Sequence, residues 1–296
     1  MKKEKLAILV CCHKADENIR NYPPYKAIQV GAALHPEMDL GFMKDNVGDN
    51  ISEKNMLYNE LCAIYWAWKN MKDVEYVGLN HYRRYFDIDL SDDNIDKYMR
   101  GCDIVIGKRI KKFDFQLHKF SMMYATSQED FYIFMDTMLK MRPQYKDRII
   151  DYFYNDNEWT PCTMFITRKE ILDDFCEFLF PVLEELEKRI PRHPYSRQNR
   201  FIAYFGELSL GLYIYCKQLK KKKVPLVMLG EVNHTPTVEK AGIKLLINNF
   251  MCFAKKIYRK IFRIHDGLFV PDDVLAGFRN DGITLDGINT AMNAKK

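Results

Sequence analysis

The order of apolar runs and helical patterns along the chain predicts an α/β sandwich built on a mostly parallel central sheet. Three observations carry this. Short apolar segments bounded by polar turns alternate with longer segments whose apolar residues recur at helical spacing, as strands alternating with helices do. The first apolar segment, Leu6-Ala-Ile-Leu-Val-Cys11, is continuous, as a strand buried on both faces should be. Finally, 47% apolar and 29% charged residues over 296 positions is ordinary globular composition, which excludes a disordered chain, a collagen-like repeat and a disulfide-stapled miniprotein. The length allows one large domain or one domain with a substantial appendage.

The first strand ends in His13-Lys14-Ala15-Asp16, and α/β sheets bind ligands beyond such strand ends. Tyr22-Pro23-Pro24-Tyr25 reads as irregular, and 45–55 (DNVGDNISEKN) as a polar loop feeding a helix over 56–70, where Leu57, Leu61, Ile64, Tyr65 and Trp68 share a face. A second strand, 75–80, runs straight into His81-Tyr82-Arg83-Arg84. Ser91 before Asp92 and Asp93 reads as a helix cap, 103–107 as a third strand, and Ser127 with Asp130 as the cap of a helix to about Met141. A helix over 144–154 and a strand over 162–166 follow; Thr167 and Glu170 form a capping-box pattern opening a helix to about Arg189. A helix over 205–219 and a short strand over 224–228 complete the alternation, and the tail after His265 is polar with little core potential.

A net charge of +5 is too mild to imply nucleic acid. Its distribution is more telling, because 241–264 holds six basic residues and no acidic one, interleaved with Leu, Ile and Phe. That pattern fits an amphipathic helix lying on an anionic membrane surface, or a helix packed by its apolar side on the rest of the protein. The eight cysteines lack zinc or disulfide spacing and read as small buried residues of a reducing cytosol; no run reaches the ~18 apolar residues of a membrane span. The expectation is a cytoplasmic protein, peripheral at the inner face of the plasma membrane. Signatures of dinucleotide oxidoreductases, P-loop NTPases, α/β-hydrolases and zincins are absent.

The chemistry therefore falls to strand ends. His81, Arg83 and Arg84 join an imidazole to two guanidiniums, which bind phosphate oxygens bidentately and stay charged when partly desolvated. The bland alternative is a solvated basic turn, or arginines paired with Asp87 and Asp89. Asp49 and Asn50, after Gly48, could bond a base, ribose or sugar hydroxyl, or simply turn the chain into the next helix. Trp66 and Trp68 read as core.

V-x-x-H-K at 10–14, GDNISEKN at 48–55, YWAWKN at 65–70, GLNHYRRYF at 78–86, MFITRKE at 164–170 and GELSLGL at 206–212 together resemble a bacterial capsule and exopolysaccharide glycosyltransferase family. That family was catalogued as a domain of unknown function and includes galactofuranosyltransferases. The resemblance covers about residues 5–230. It implies a GT-A-like nucleotide-sugar-binding fold over 1–230, with 231–296 as a basic amphipathic segment and polar tail. It implies further a nucleotide-sugar donor, UDP-linked, held by His13, Lys14, Asp49, Asn50, Lys54, Asn55, Asn80, His81, Arg83 and Arg84, and an acceptor that is a lipid-linked oligosaccharide, with no nucleic acid partner. The implied reaction moves a hexose, galactofuranose from UDP-galactofuranose as the case in view, onto a capsule, exopolysaccharide or O-antigen glycan. The wider GT-A pattern puts a metal-holding Asp-x-Asp where this chain has Asn80-His81-Tyr82. Either Mn²⁺ or Mg²⁺ is held through His81, Asp87 and Asp89, with His234 in the position of a C-terminal metal histidine, or Arg83 and Arg84 neutralise the diphosphate instead; the second is the favoured reading. Inverting transfer needs a carboxylate base, for which Glu207 opening a helix, and Asp156 and Glu158, are the candidates. The competing class is a non-catalytic nucleotide-sugar or saccharide-binding protein of the same machinery.

Overall fold

Leu6 to Val10 have no side chain that tolerates water, and the chain meets this by placing that strand inside a sheet, with both faces covered. The computed structural model describes residues 4–108, 111–112, 116–125, 127–160, 162–192, 197–229, 243–262 and 270–293. Its strands are β1 (Glu4–Cys12), β2 (Tyr25–Gln29), β3 (Met43–Lys44), β4 (Val74–His81), β5 (Arg84–Phe86), β6 (Ile104–Gly107), β7 (Lys111–Lys112), β8 (Glu158–Trp159), β9 (Phe165–Arg168), β10 (Lys221–Val224) and β11 (Leu226–Met228). The helices are α1 (Asn55–Tyr58), α2 (Leu61–Asn70), α3 (Ile95–Met99), α4 (Leu117–Ala125), α5 (Gln128–Met141), α6 (Lys146–Asn155), α7 (Lys169–Arg189), α8 (Phe201–Lys217), α9 (Ile243–Ile261), α10 (Asp272–Asn280) and α11 (Asp286–Asn293).

Two compact units result. The first comprises Met1–Ile110, Thr160–Leu179 and Lys217–Asn233. It holds a nine-stranded sheet in the order β10-β6-β9-β4-β1-β2-β3, to which β5 attaches at β4 and β11 at β5. β1, β2, β3, β4, β6, β10 and β11 run one way, and only β9 and β5 oppose them, so the sheet is mostly parallel in direction, as predicted. The register Val10↔Asn80 and Cys11↔His81 ends β1 and β4 side by side at one edge. Gly78 is dictated by packing: a Cβ there would stand 3.0 Å from Ile166 and 3.1 Å from the Phe165 carbonyl. The core on one face gathers Leu6, Ile8, Val10, Tyr76, Tyr85, Met164 and Ile166.

Several local readings are corrected here. Tyr25 does not close an irregular stretch; it begins β2, because β1 offers it a parallel ladder. The strand expected at 162–166 starts at Phe165, after two residues in the left-handed region. The Thr167 hydroxyl donates to the Asp103 carbonyl across the sheet (2.8 Å), so no capping box forms. Asn94, not Ser91, precedes α3, while Asp92 caps the backbone N–H groups of Lys5 and Leu6. Pro225 divides the last strand in two.

The second unit comprises Lys111–Trp159, Phe180–Cys216 and His234–Lys296. Among the described residues it is helical apart from the antiparallel β7-β8 ribbon. Ser127 caps α5 as predicted, accepting the Asp130 N–H at 3.0 Å. Phe131, Phe134, Phe153 and Phe205 form its aromatic centre, with Phe134 stacked on Phe205 at 4.6 Å. The tail is not the coreless segment its polarity suggests. Phe278, Leu285 and Ile288 are buried, and the Ile288 N–H donates to the fully buried Asp136 carboxylate (3.0 Å), which also pairs with Arg189 (2.7 Å).

Candidate active site

The end of β4 gathers an amide, an imidazole and two guanidiniums from neighbouring positions, Asn80, His81, Arg83 and Arg84. β4 finishes at His81, and the chain turns back through Tyr82 and Arg83 so that Arg84 pairs with His81. Alternation along the strand puts Asn80 on the face of Val10 and His81 on that of Cys11. Both the Oδ1 and the Nδ2 of Asn80 are buried without a hydrogen-bond partner among the described residues. Leaving such groups unmatched costs about 1–3 kcal/mol each, so a native chain keeps them for something the fold itself does not supply.

Arg83 donates through Nε and Nη2 to one oxygen of Asp16, at 2.8 and 2.6 Å. Its sequence neighbours Asp87 and Asp89 are not its partners. Asp16 is 7% exposed against 35% for Arg83, so the pair stands half in the protein. The backbone N–H of Asn18, with the Arg83 guanidinium beside it, holds the Asp16 carboxyl below the usual carboxylate range. The loop after β1 is pinned again by Tyr85, whose hydroxyl receives the Arg20 N–H (3.0 Å) and donates to the Asn18 carbonyl (2.8 Å). Burial pushes that phenol up to about 12. His13 stands edge-on to Tyr82 at 5.5 Å, and His13 and Lys14 are both exposed.

The chain entering β9 closes the other side. Cys162 and Thr163 are consecutive non-glycine residues at φ 76 and 45, a conformation worth about 1–3 kcal/mol of strain each and more unusual still for a β-branched residue. The bend presents the Cys162 carbonyl to His81 Nε2 at 2.8 Å. A carbonyl only accepts, so the proton sits on Nε2. The same bend brings the Cys162 sulfur to Arg84 Nη1 at 3.5 Å and lets the Thr163 hydroxyl donate to Glu60 at 3.4 Å.

The ends of β2 and β3 carry a second cluster. Buried Asp45 accepts the N–H groups of Gly31 and Ala32 (2.9 and 3.0 Å) and the Ser52 hydroxyl, which ties the two loops together. Gly31, at φ 72, must be glycine because a Cβ would meet the Asn55 side chain at 2.7 Å. Asn55 in turn donates to the Asn59 carbonyl (3.0 Å), and Lys54 lies over the Tyr58 ring. Asp49 is elsewhere: its backbone is clasped by Asn70 (3.2 and 2.8 Å) and its carboxylate receives the Tyr65 hydroxyl. These contacts hold Asp49 against α2. Asn50 bonds the Gly48 carbonyl and the Ser52 N–H, closing its own turn.

Thus His13, Asn80, His81, Arg83 and Arg84 come together, Lys54 and Asn55 lie by the neighbouring strand ends, and Asp49 does not join them. Asp16, in the polar strand end already singled out, joins this cluster through Arg83; Glu60, Cys162 and Thr163 stand beside it and carry no local signal of it. Asp87 and Asp89 do not converge with His81: the Asp87 N–H donates to the Pro225 carbonyl, and Asp89 accepts from Asn94. No three His, Cys, Asp or Glu side chains are grouped as metal ligands among the described residues. His234 lies outside the described residues.

In the second unit, Asp156 follows α6, accepts the Asn157 and Glu158 N–H groups (2.7 and 3.2 Å) and pairs with Lys256 (2.9 Å). Glu158 lies in β8. α8 starts at Phe201, four residues earlier than its pattern suggests, so Glu207 sits in the second turn, 9% exposed, rather than opening the helix.

Open α/β sheets bind ligands at the carboxyl edge of their parallel strands, and the molecule is of that class. The chain belongs to the family described as a domain of unknown function, DUF4422, whose match spans residues 7–219. No curated protein matches the sequence. Among solved structures it is similar to the apo structure of WbbM, a bifunctional glycosyltransferase, at 27% identity and a TM-score of 0.70 over 76% of this chain. It spans 45% of that chain, less than half of its length. The α/β fold with its mostly parallel, helix-flanked sheet is therefore one found in a glycosyltransferase.

Proposed function

We propose that the protein is a hexosyltransferase that uses a nucleotide-linked donor. The observation that carries this reading is the end of β4, where a buried amide with no partner among the described residues stands beside two guanidiniums and an imidazole, in a fold shared with a glycosyltransferase. Arg84 and Arg83 neutralise the diphosphate as it leaves with the electrons of its bond to the anomeric carbon. The acceptor hydroxyl oxygen forms the new bond to that carbon, with inversion, and its proton passes to a carboxylate, for which Glu207 is the proposed base. Asp156 is the weaker candidate, since its charge is matched by Lys256. The sequence resemblance supports a finer assignment: galactofuranose carried by UDP, transferred to a lipid-linked capsule, exopolysaccharide or O-antigen intermediate.

A panel of nucleotide sugars tests this. The true donor raises the unfolding temperature by mass action and releases free nucleotide only when a saccharide acceptor is present. A donor that stabilises the protein but is never consumed would assign it to the non-catalytic binding class.

A further inference from the structure

The segment with the sequence's most uneven charge folds as α9, and its orientation is the reverse of an ordinary surface helix. A surface helix turns its apolar stripe to the core and its charges to water. In α9 the stripe formed by Leu246, Phe250, Phe253, Ile257 and Ile261 is 40–68% exposed. The opposite side faces the protein: Cys252 is buried and Lys256 reaches inward to Asp156 at 2.9 Å. Ten of the fifteen large hydrophobic side chains exposed among the described residues fall within 243–262, so the patch is continuous and not scattered.

We propose that this outward face is a docking surface for an anionic lipid bilayer, with α9 lying in the plane of the interface. Charge decides the occupant. The sequence from 241 to 264 has six basic residues and no acidic one. A second copy of the chain would bring like charges together with no carboxylate to match them, whereas anionic headgroups supply the counter-charge while the aromatic and aliphatic face enters the acyl boundary. No described helix is long and apolar enough to cross a membrane, so the helix rests on the surface and does not span it. The Lys256–Asp156 pair gives Asp156 a positioning role, holding the helix with its apolar side outward. The inference stands apart from the proposed transfer reaction.

The test is flotation of the full chain with phosphatidylcholine vesicles, with and without phosphatidylglycerol, at low and high salt. The expected result is binding to the anionic vesicles at low salt, weakened at least about tenfold by neutral lipid or high salt. Phe250→Glu combined with Phe253→Glu should lose binding by about tenfold or more, with thermal unfolding and turnover on a soluble acceptor unchanged. Should that variant unfold, Phe250→Trp keeps the face apolar, and its emission should shift to the blue with anionic vesicles only. Failure of the full chain to bind anionic vesicles, binding indifferent to lipid charge, or a tryptophan that does not shift overturns the proposal. So does a lipid-free dimer that the double variant makes monomeric, which would give the face to a second copy.

Discussion

Replacing Arg84 by alanine is the most direct probe of the proposed donor site. Its Nη1 donates to the Cys162 sulfur, a weak acceptor, at 3.5 Å. A hydrogen bond to a charged group contributes about 1.5–3 kcal/mol, and each 1.4 kcal/mol is tenfold, so Arg84→Ala should weaken UDP binding by about 10- to 150-fold. Arg83 differs because two of its nitrogens already serve Asp16. Arg83→Ala removes the cation and also leaves the Asp16 carboxylate facing the ligand. Its loss of affinity should exceed that of Arg84→Ala, and the double variant Asp16→Asn with Arg83→Ala should recover part of it. Calorimetric titration of each full-length variant with UDP, beside a thermal melt to confirm folding, gives the affinities. Wild-type affinity in both single variants, or no recovery in the double variant, would refute the diphosphate assignment.

Glu207→Gln should lower turnover by roughly 10² with donor affinity unchanged, as steady-state and binding measurements would show; near-wild-type turnover removes it as the base. Asn80→Leu keeps the branched shape without unmatched polar atoms, so it should raise the melting temperature of the free protein while weakening donor binding, and a lowered melting temperature would contradict the reading of Asn80. Gly287→Ala drives a Cβ to 2.5 Å from the Asp136 carbonyl oxygen and should destabilise the second unit by about 1–3 kcal/mol in denaturant unfolding. Asp16 has a depressed folded pKa, so its support for the loop after β1 is complete above the unfolded value near 3.9 and fades only as pH falls through the lower folded value. Acid unfolding of Asp16→Asn should accordingly be less steep, and an unchanged acid limb would show the ion pair to be idle.

What the sequence by itself determined is what period and local chemistry encode. The unbroken apolar run 6–11 reads as a doubly buried strand, Ser127 with Asp130 as a helix cap, and the basic cluster at 81–84 as following directly from the strand before it, and each holds in the structure. Tertiary structure decided whatever depends on a partner far along the chain. Tyr25 to Gln29 is a strand because β1 lies beside it; Thr167 bonds Asp103 across the sheet instead of capping α7. Arg83 chose Asp16, 67 residues away, over the nearer Asp87 and Asp89, and His81 met the Cys162 carbonyl, 81 residues away, only because two strained residues bend the chain toward it. The amphipathic pattern of 241–264 fixes a helix with two unlike faces, yet nothing in the pattern says which face is turned inward. That was settled by Asp156, which accepts Lys256 and leaves the apolar face in water, because a charge leaving solvent needs a matched partner and only the folded chain can bring one to it.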